Sequence, residues 1–126
     1  MAILSEESKI RRDGKETITY KLMNDSSAAE TTSDAISAIN ADSVSIVVES
    51  SAGVSGGVVT LEGALTSDYT GTWASLTTAT ANAATKTFVA TNDMSDSAAV
   101  PLPYVRARIS TVITGGTVDV YMIVRK

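Results

Sequence analysis

Carboxylates, lysines, tyrosines and hydroxyls are the reactive groups open to this chain, because its sequence contains neither Cys nor His. Ser-His-Asp and Cys-His nucleophile systems, the usual zinc and haem ligation, thiolate chemistry and disulfides are thereby excluded. What remains must announce itself as a constellation. Asp68 lies near Tyr69 and Trp73, and Glu62 lies a few residues before it, so a glycosidase-like pair of carboxylates beside aromatic platforms can be drawn. The simpler reading is preferred: Asp68 orders its own turn, and Glu62 is an exposed strand residue. Asn92, Asp93, Ser95 and Asp96 place oxygen ligands as a calcium loop would, but the glycine and the distal bidentate glutamate of an EF-hand are missing. Gly53, Gly56 and Gly57 precede no Lys-Ser/Thr pair, so they form a turn and not a phosphate loop. Trp73 with Tyr69 offers an alternative ligand surface for stacking a sugar, although a lone Trp at a strand start more often plugs a core or an inter-sheet gap. The expectation is a protein with no catalytic residue, no metal and no cofactor.

The elements that would carry these residues read as strands. In residues 17–22, Ile18, Tyr20 and Leu22 alternate with Thr17, Thr19 and Lys21. Residues 24–32 are small, polar and aperiodic, which predicts a linker and places a boundary between an N-terminal arm, 1–32, and a body, 33–126. Residues 33–39 fit either one capped helical turn or a short edge strand, and the strand is preferred because everything after it alternates. Val44, Ile46 and Val48 define the clearest strand, and Val59 and Leu61 face the core of the next. After a turn at 66–72, Trp73 opens another strand, and Phe88 marks one over 85–90. Pro101 and Pro103 force an extended approach to residues 104–109, where Val105, Ala107 and Ile109 point inward and Tyr104, Arg106 and Arg108 outward. Gly115 and Gly116 turn the chain into a last strand with Val118, Val120, Met122 and Val124 inward. Its outward set includes Tyr121 and Ile123; with Tyr20, these are the candidate subunit-interface residues.

Seven or eight short strands with regular turn signals and almost no helix predict an all-β, antiparallel β-sandwich of Greek-key or jelly-roll type with an extended N-terminal arm. A chain of 126 residues supplies one domain, and with aromatics at 5% its core must be filled by Val, Ile, Leu and Ala.

Charge is unevenly spread. Residues 1–21 carry five bases against four acids, residues 22–103 nine acids against Lys86 alone, and residues 104–126 four bases against Asp119; the formal net charge is -4. Basic ends on an acidic body lack the dense Lys/Arg stripe of a nucleic-acid binder, and no apolar run approaches the roughly 20 residues of a membrane span. Neither nucleic acid nor membrane is expected as a partner. The first residues read as no signal peptide, so synthesis in a host cytoplasm is expected.

The run SVSIVVES, then GGVVTLEGALTSDYTGTW, then PLPYVRARISTVITGGTVDVYMIVRK resembles small β-sandwich structural proteins of tailed bacteriophage particles, over residues 33–126. The turn from Asp68 to Trp73 departs from the Asp-Gly usual there and predicts a longer loop. The resemblance implies a non-enzymatic virion protein on the capsid surface, a decoration or cement protein. Its partners would be the major capsid protein and further copies of itself, a trimer being favoured. Ile3, Leu4, Ile10, Arg11 and Arg12 are the candidate capsid contacts on the arm. The alternative is a carbohydrate-binding or receptor-binding module of a tail or head fibre.

Overall fold

Residue alternation becomes sheet geometry in the computed structural model, which describes residues 5–12, 15–82, 87–93 and 102–126, with side chains over 16–82 and 102–126. Nine strands are described: β1 (Ser5–Arg12), β2 (Lys15–Ser26), β3 (Ile36–Ser37), β4 (Ser43–Ser50), β5 (Gly56–Ala64), β6 (Ala74–Thr80), β7 (Thr87–Asp93), β8 (Tyr104–Thr114) and β9 (Val118–Arg125). They form a five-stranded sheet, β1-β2-β9-β4-β7, facing a four-stranded sheet, β3-β8-β5-β6. Every pairing is antiparallel. β2 pairs with β9, β3 with β8, β4 with β7 and β5 with β6, as if one long hairpin had been rolled over itself. This is the jelly roll, with β1 added on one edge. The all-β sandwich expected from the pattern is the fold observed, and among the described residues no helix is long and apolar enough to cross a membrane.

The core is the inward face of both sheets. Val44, Ile46 and Val48 of β4 lie beside Val118, Val120, Met122 and Val124 of β9, and across the gap stand Val59, Leu61, Val105, Ala107 and Ile109; each is 1% exposed or less. Burying one such side chain contributes roughly 1.5–3 kcal/mol, so these strands carry most of the apolar gain.

β2 departs from simple alternation. Its register against β9 shifts between Lys21 and Met23, and this bulge turns the consecutive residues Leu22 and Met23 both into the core. The strand is therefore longer than residues 17–22. It lies inside the sheet, hydrogen-bonded to β1 and β9, so the stretch expected as an arm over 1–32 contains two strands of the five-stranded sheet, β1 and β2. Part of the stretch expected as a linker is hydrogen-bonded to a sheet as well. Residues 27–33 run along β8, with backbone hydrogen bonds from Ile113 N–H to Ser27 O, Glu30 N–H to Ile109 O, Ile109 N–H to Thr31 O and Ser33 N–H to Ala107 O, at 2.8–2.9 Å. Residues 33–39 hold the short edge strand β3 and no helical turn.

Candidate functional site

On the outward face of the four-stranded sheet, β5 and β8 run antiparallel with Glu62 opposite Arg106 and Thr60 opposite Arg108. This register places one carboxylate between two guanidinium groups. Arg106 Nε donates to Glu62 Oε1 at 2.9 Å and Arg108 Nε to Glu62 Oε2 at 2.8 Å. Arg108 Nη1 reaches on to the Glu30 carboxylate at 3.0 Å. At the other end, Arg106 stacks 4.1 Å from the centre of the Trp73 ring, whose Nε1–H donates to the Tyr69 carbonyl at 2.9 Å. The result is a ladder, Trp73-Arg106-Glu62-Arg108-Glu30, which ties the β5–β6 loop and the 27–33 crossing to the sheet.

Glu62 is only 3% exposed, which corrects the expectation that it is a solvated strand residue. Both its oxygens are engaged, and two cross-strand guanidinium groups compensate its buried charge. The Arg108 pKa is raised above its ordinary value, first by the hydrogen bond it donates to Glu62, against the lowering effect of burial, and then by the charges of Glu62 and Glu30. Arg108 therefore stays cationic throughout the working pH range. Asp68 is exposed in its turn. A carboxylate held by two arginines is an anchor, and this arrangement does not give Glu62 the role of a general acid.

Trp73 is 5% exposed and lies outside the main core, sealed over the sheet by Arg106 and the loop carrying Tyr69. It is thus a plug and offers no open platform. Tyr69 is 46% exposed and borders an apolar recess of about 350 Å³ with Leu65, Ala64, Gly63 and Leu102. Of the two residues of the alternative ligand surface, only Tyr69 can meet a ligand.

Tyr121 and Ile123 point outward from the five-stranded sheet, half-buried, beside Val47 and Lys21 in register. Lys21 Nζ lies 5.6 Å from the Tyr121 ring centre and 3.8 Å from Asp119 Oδ2. Tyr20 is on the opposite face, opposite Met122 and packed against the core, so it does not join Tyr121 and Ile123. Of the arm residues, Ile10, Arg11 and Arg12 pair along β1 with Thr17, Glu16 and Lys15, while Ile3 and Leu4 lie outside the described residues. Asn92 and Asp93 close β7, and residues 94–96 of the calcium-like stretch also lie outside them. Among the described residues, no three Asp or Glu side chains are grouped to hold a metal ion.

The Glu62 ladder is the feature that reading by residue type missed. Its signal was present, since the outward residues of YVRARI include two arginines and those of the facing TLEG include the glutamate.

No protein family and no curated protein matches this sequence. Solved structures do resemble the fold. The SPBc2 prophage-derived protein YomS superposes with a TM-score of 0.63 at 10% identity, over 93% of this chain and 99% of its own. The PBSX exported protein XepA superposes with a TM-score of 0.58 at 17% identity, over 98% of this chain, which spans 47% of XepA. These likenesses establish a shared fold.

Proposed function

We propose that the chain is a non-enzymatic structural protein of a bacteriophage particle, and within that class a decoration protein bound to the outside of the assembled head. The observation that supports this reading is the superposition on a prophage-derived protein along nearly the whole length of both chains. The resemblance of residues 33–126 to small phage virion proteins points the same way.

The physical logic is linkage. A protein that binds only the assembled lattice stabilises it by RT ln(1 + [L]/Kd) per site, and many symmetric sites multiply a modest affinity. The outward face of the five-stranded sheet suits such a contact, with Tyr121, Ile123 and Val47 forming an apolar strip and Lys21 and Asp119 beside it to orient docking.

The test is to mix purified protein with heads that lack it. Cosedimentation and a higher disruption temperature are expected, and Ile123→Glu should weaken both while leaving the monomer folded. Absence of binding to any shell, together with saturable binding of a glycan at the Tyr69 recess, would overturn the proposal.

A further inference from the structure

Residues 27–37 cross from β2 to β3 along the edge of β8, and their attachment is almost wholly polar. Four backbone hydrogen bonds join residues 27–33 to Ala107, Ile109 and Ile113, and the Ser33 hydroxyl accepts a fifth from the Ala107 N–H at 3.0 Å. Ile36 is the single large apolar side chain that the crossing buries, while Ala28, Ala29 and Glu30 are exposed. One ion pair on it, Glu30 to Arg108, has a carboxylate side chain that is 73% exposed and therefore well screened by salt.

The backbone of this stretch is also strained. Among the described residues the non-glycine positions with positive φ are Asp25 at 48°, Glu30 at 68° and Asn40 at 64°. One lies within the crossing and the other two flank it. Left-handed backbone at such residues costs energy that the surroundings must supply.

We infer that residues 27–37, β3 included, form a releasable strap, which opens from β8 as a unit, hinged near Asp25 and Asn40, while the five-stranded sheet and the β8-β5-β6 part of the other stay folded. Opening relaxes Glu30 and gives up one large apolar contact. It strands no buried charge, because Arg108 keeps Glu62. What it exposes is a row of β8 backbone groups at Ala107, Ile109 and Ile113, an edge of the kind that accepts an added strand.

Amide hydrogen exchange on the full chain, followed by NMR, tests this, and β8 supplies its own control. The N–H groups of Ala107, Ile109 and Ile113 donate to the strap, whereas strand alternation turns those of Arg106 and Arg108 towards β5. Ile109 and Ile113 should exchange at least about tenfold faster than Arg106 and Arg108. High salt or Glu30→Gln should raise the Ile109 rate by about two- to fivefold with the Arg106 rate unchanged. If Glu30→Gln moves nothing, Ser33→Ala decides: a faster Ile109 beside an unchanged Arg106 supports the strap. Equal rates at strap-bound and β5-bound amides, with the same denaturant dependence, would overturn it.

Discussion

Glu62 shows what a single side chain can do in this fold. It lies beneath two guanidinium groups whose side chains are 22% and 25% exposed, so its removal leaves two like charges close together in partial burial. Breaking a buried pair by removing one member typically costs 3–5 kcal/mol, and the residual exposure of both arginines lowers this to about 2–4 kcal/mol for Glu62→Ala. Glu62→Gln keeps the hydrogen-bond acceptor and should cost less. Urea denaturation checks both, and a loss below about 0.5 kcal/mol in Glu62→Ala would mean that the ladder is ornamental. The same side chain marks a limit of sequence reading: TLEG alone makes Glu62 a polar residue on an outward face. Only the β5-to-β8 register, fixed by the hydrophobic pattern of both strands together, reveals that two arginines stand over it.

At the scale of elements, legibility followed apolar alternation. β4 and β9 were readable because one face is buried and the other is not, which imposes the period of two. The crossing at 27–33 was not, since its hydrogen bonds to β8 use backbone groups and one serine hydroxyl and leave no apolar signature. β2 was cut short at Leu22 because the bulge puts two adjacent residues inward. Gly53, Gly115 and Gly116 lie in turns, whereas Gly56 and Gly57, expected to turn with Gly53, open β5; at Gly115 the reason for a glycine is physical. This residue has φ 82° and packs against the Gly53 carbonyl, so an added Cβ would collide with backbone where the β4–β5 and β8–β9 loops meet. Gly115→Ala should destabilise by about 2 kcal/mol or more, visible as a lower thermal midpoint with little change in the far-UV spectrum. A midpoint unchanged from wild type would show that the two loops do not need this contact.

The whole molecule separates the parts of its N-terminal region. Among the described residues β1 pairs only with β2, whereas β2 supplies Leu22 and Met23 to the core. Deleting residues 1–12 should leave a cooperatively unfolding sandwich, with β2 as its new edge. Deleting residues 1–26 removes three buried apolar side chains, Ile18, Leu22 and Met23, worth about 2–5 kcal/mol each, and uncovers one side of β9, against a total stability of about 5–15 kcal/mol. That variant should show no cooperative transition in circular dichroism. If it does fold, the division of the chain at residues 32 and 33 is supported. If the shorter deletion unfolds, β1 matters far more than its single pairing implies.

The place of β9 has a consequence for how the protein is made. It lies between β2 and β4, both of which precede it by a long stretch of chain. On a ribosome adding about 5–20 residues per second, β2 must wait roughly 5–20 s for the neighbour that completes its hydrogen bonding. During that interval β2 and β4 can be placed side by side by nothing else in the nascent chain, and their apolar faces are open to other polypeptides. A cell rich in unfinished copies is therefore the setting in which chaperones matter most for this sandwich.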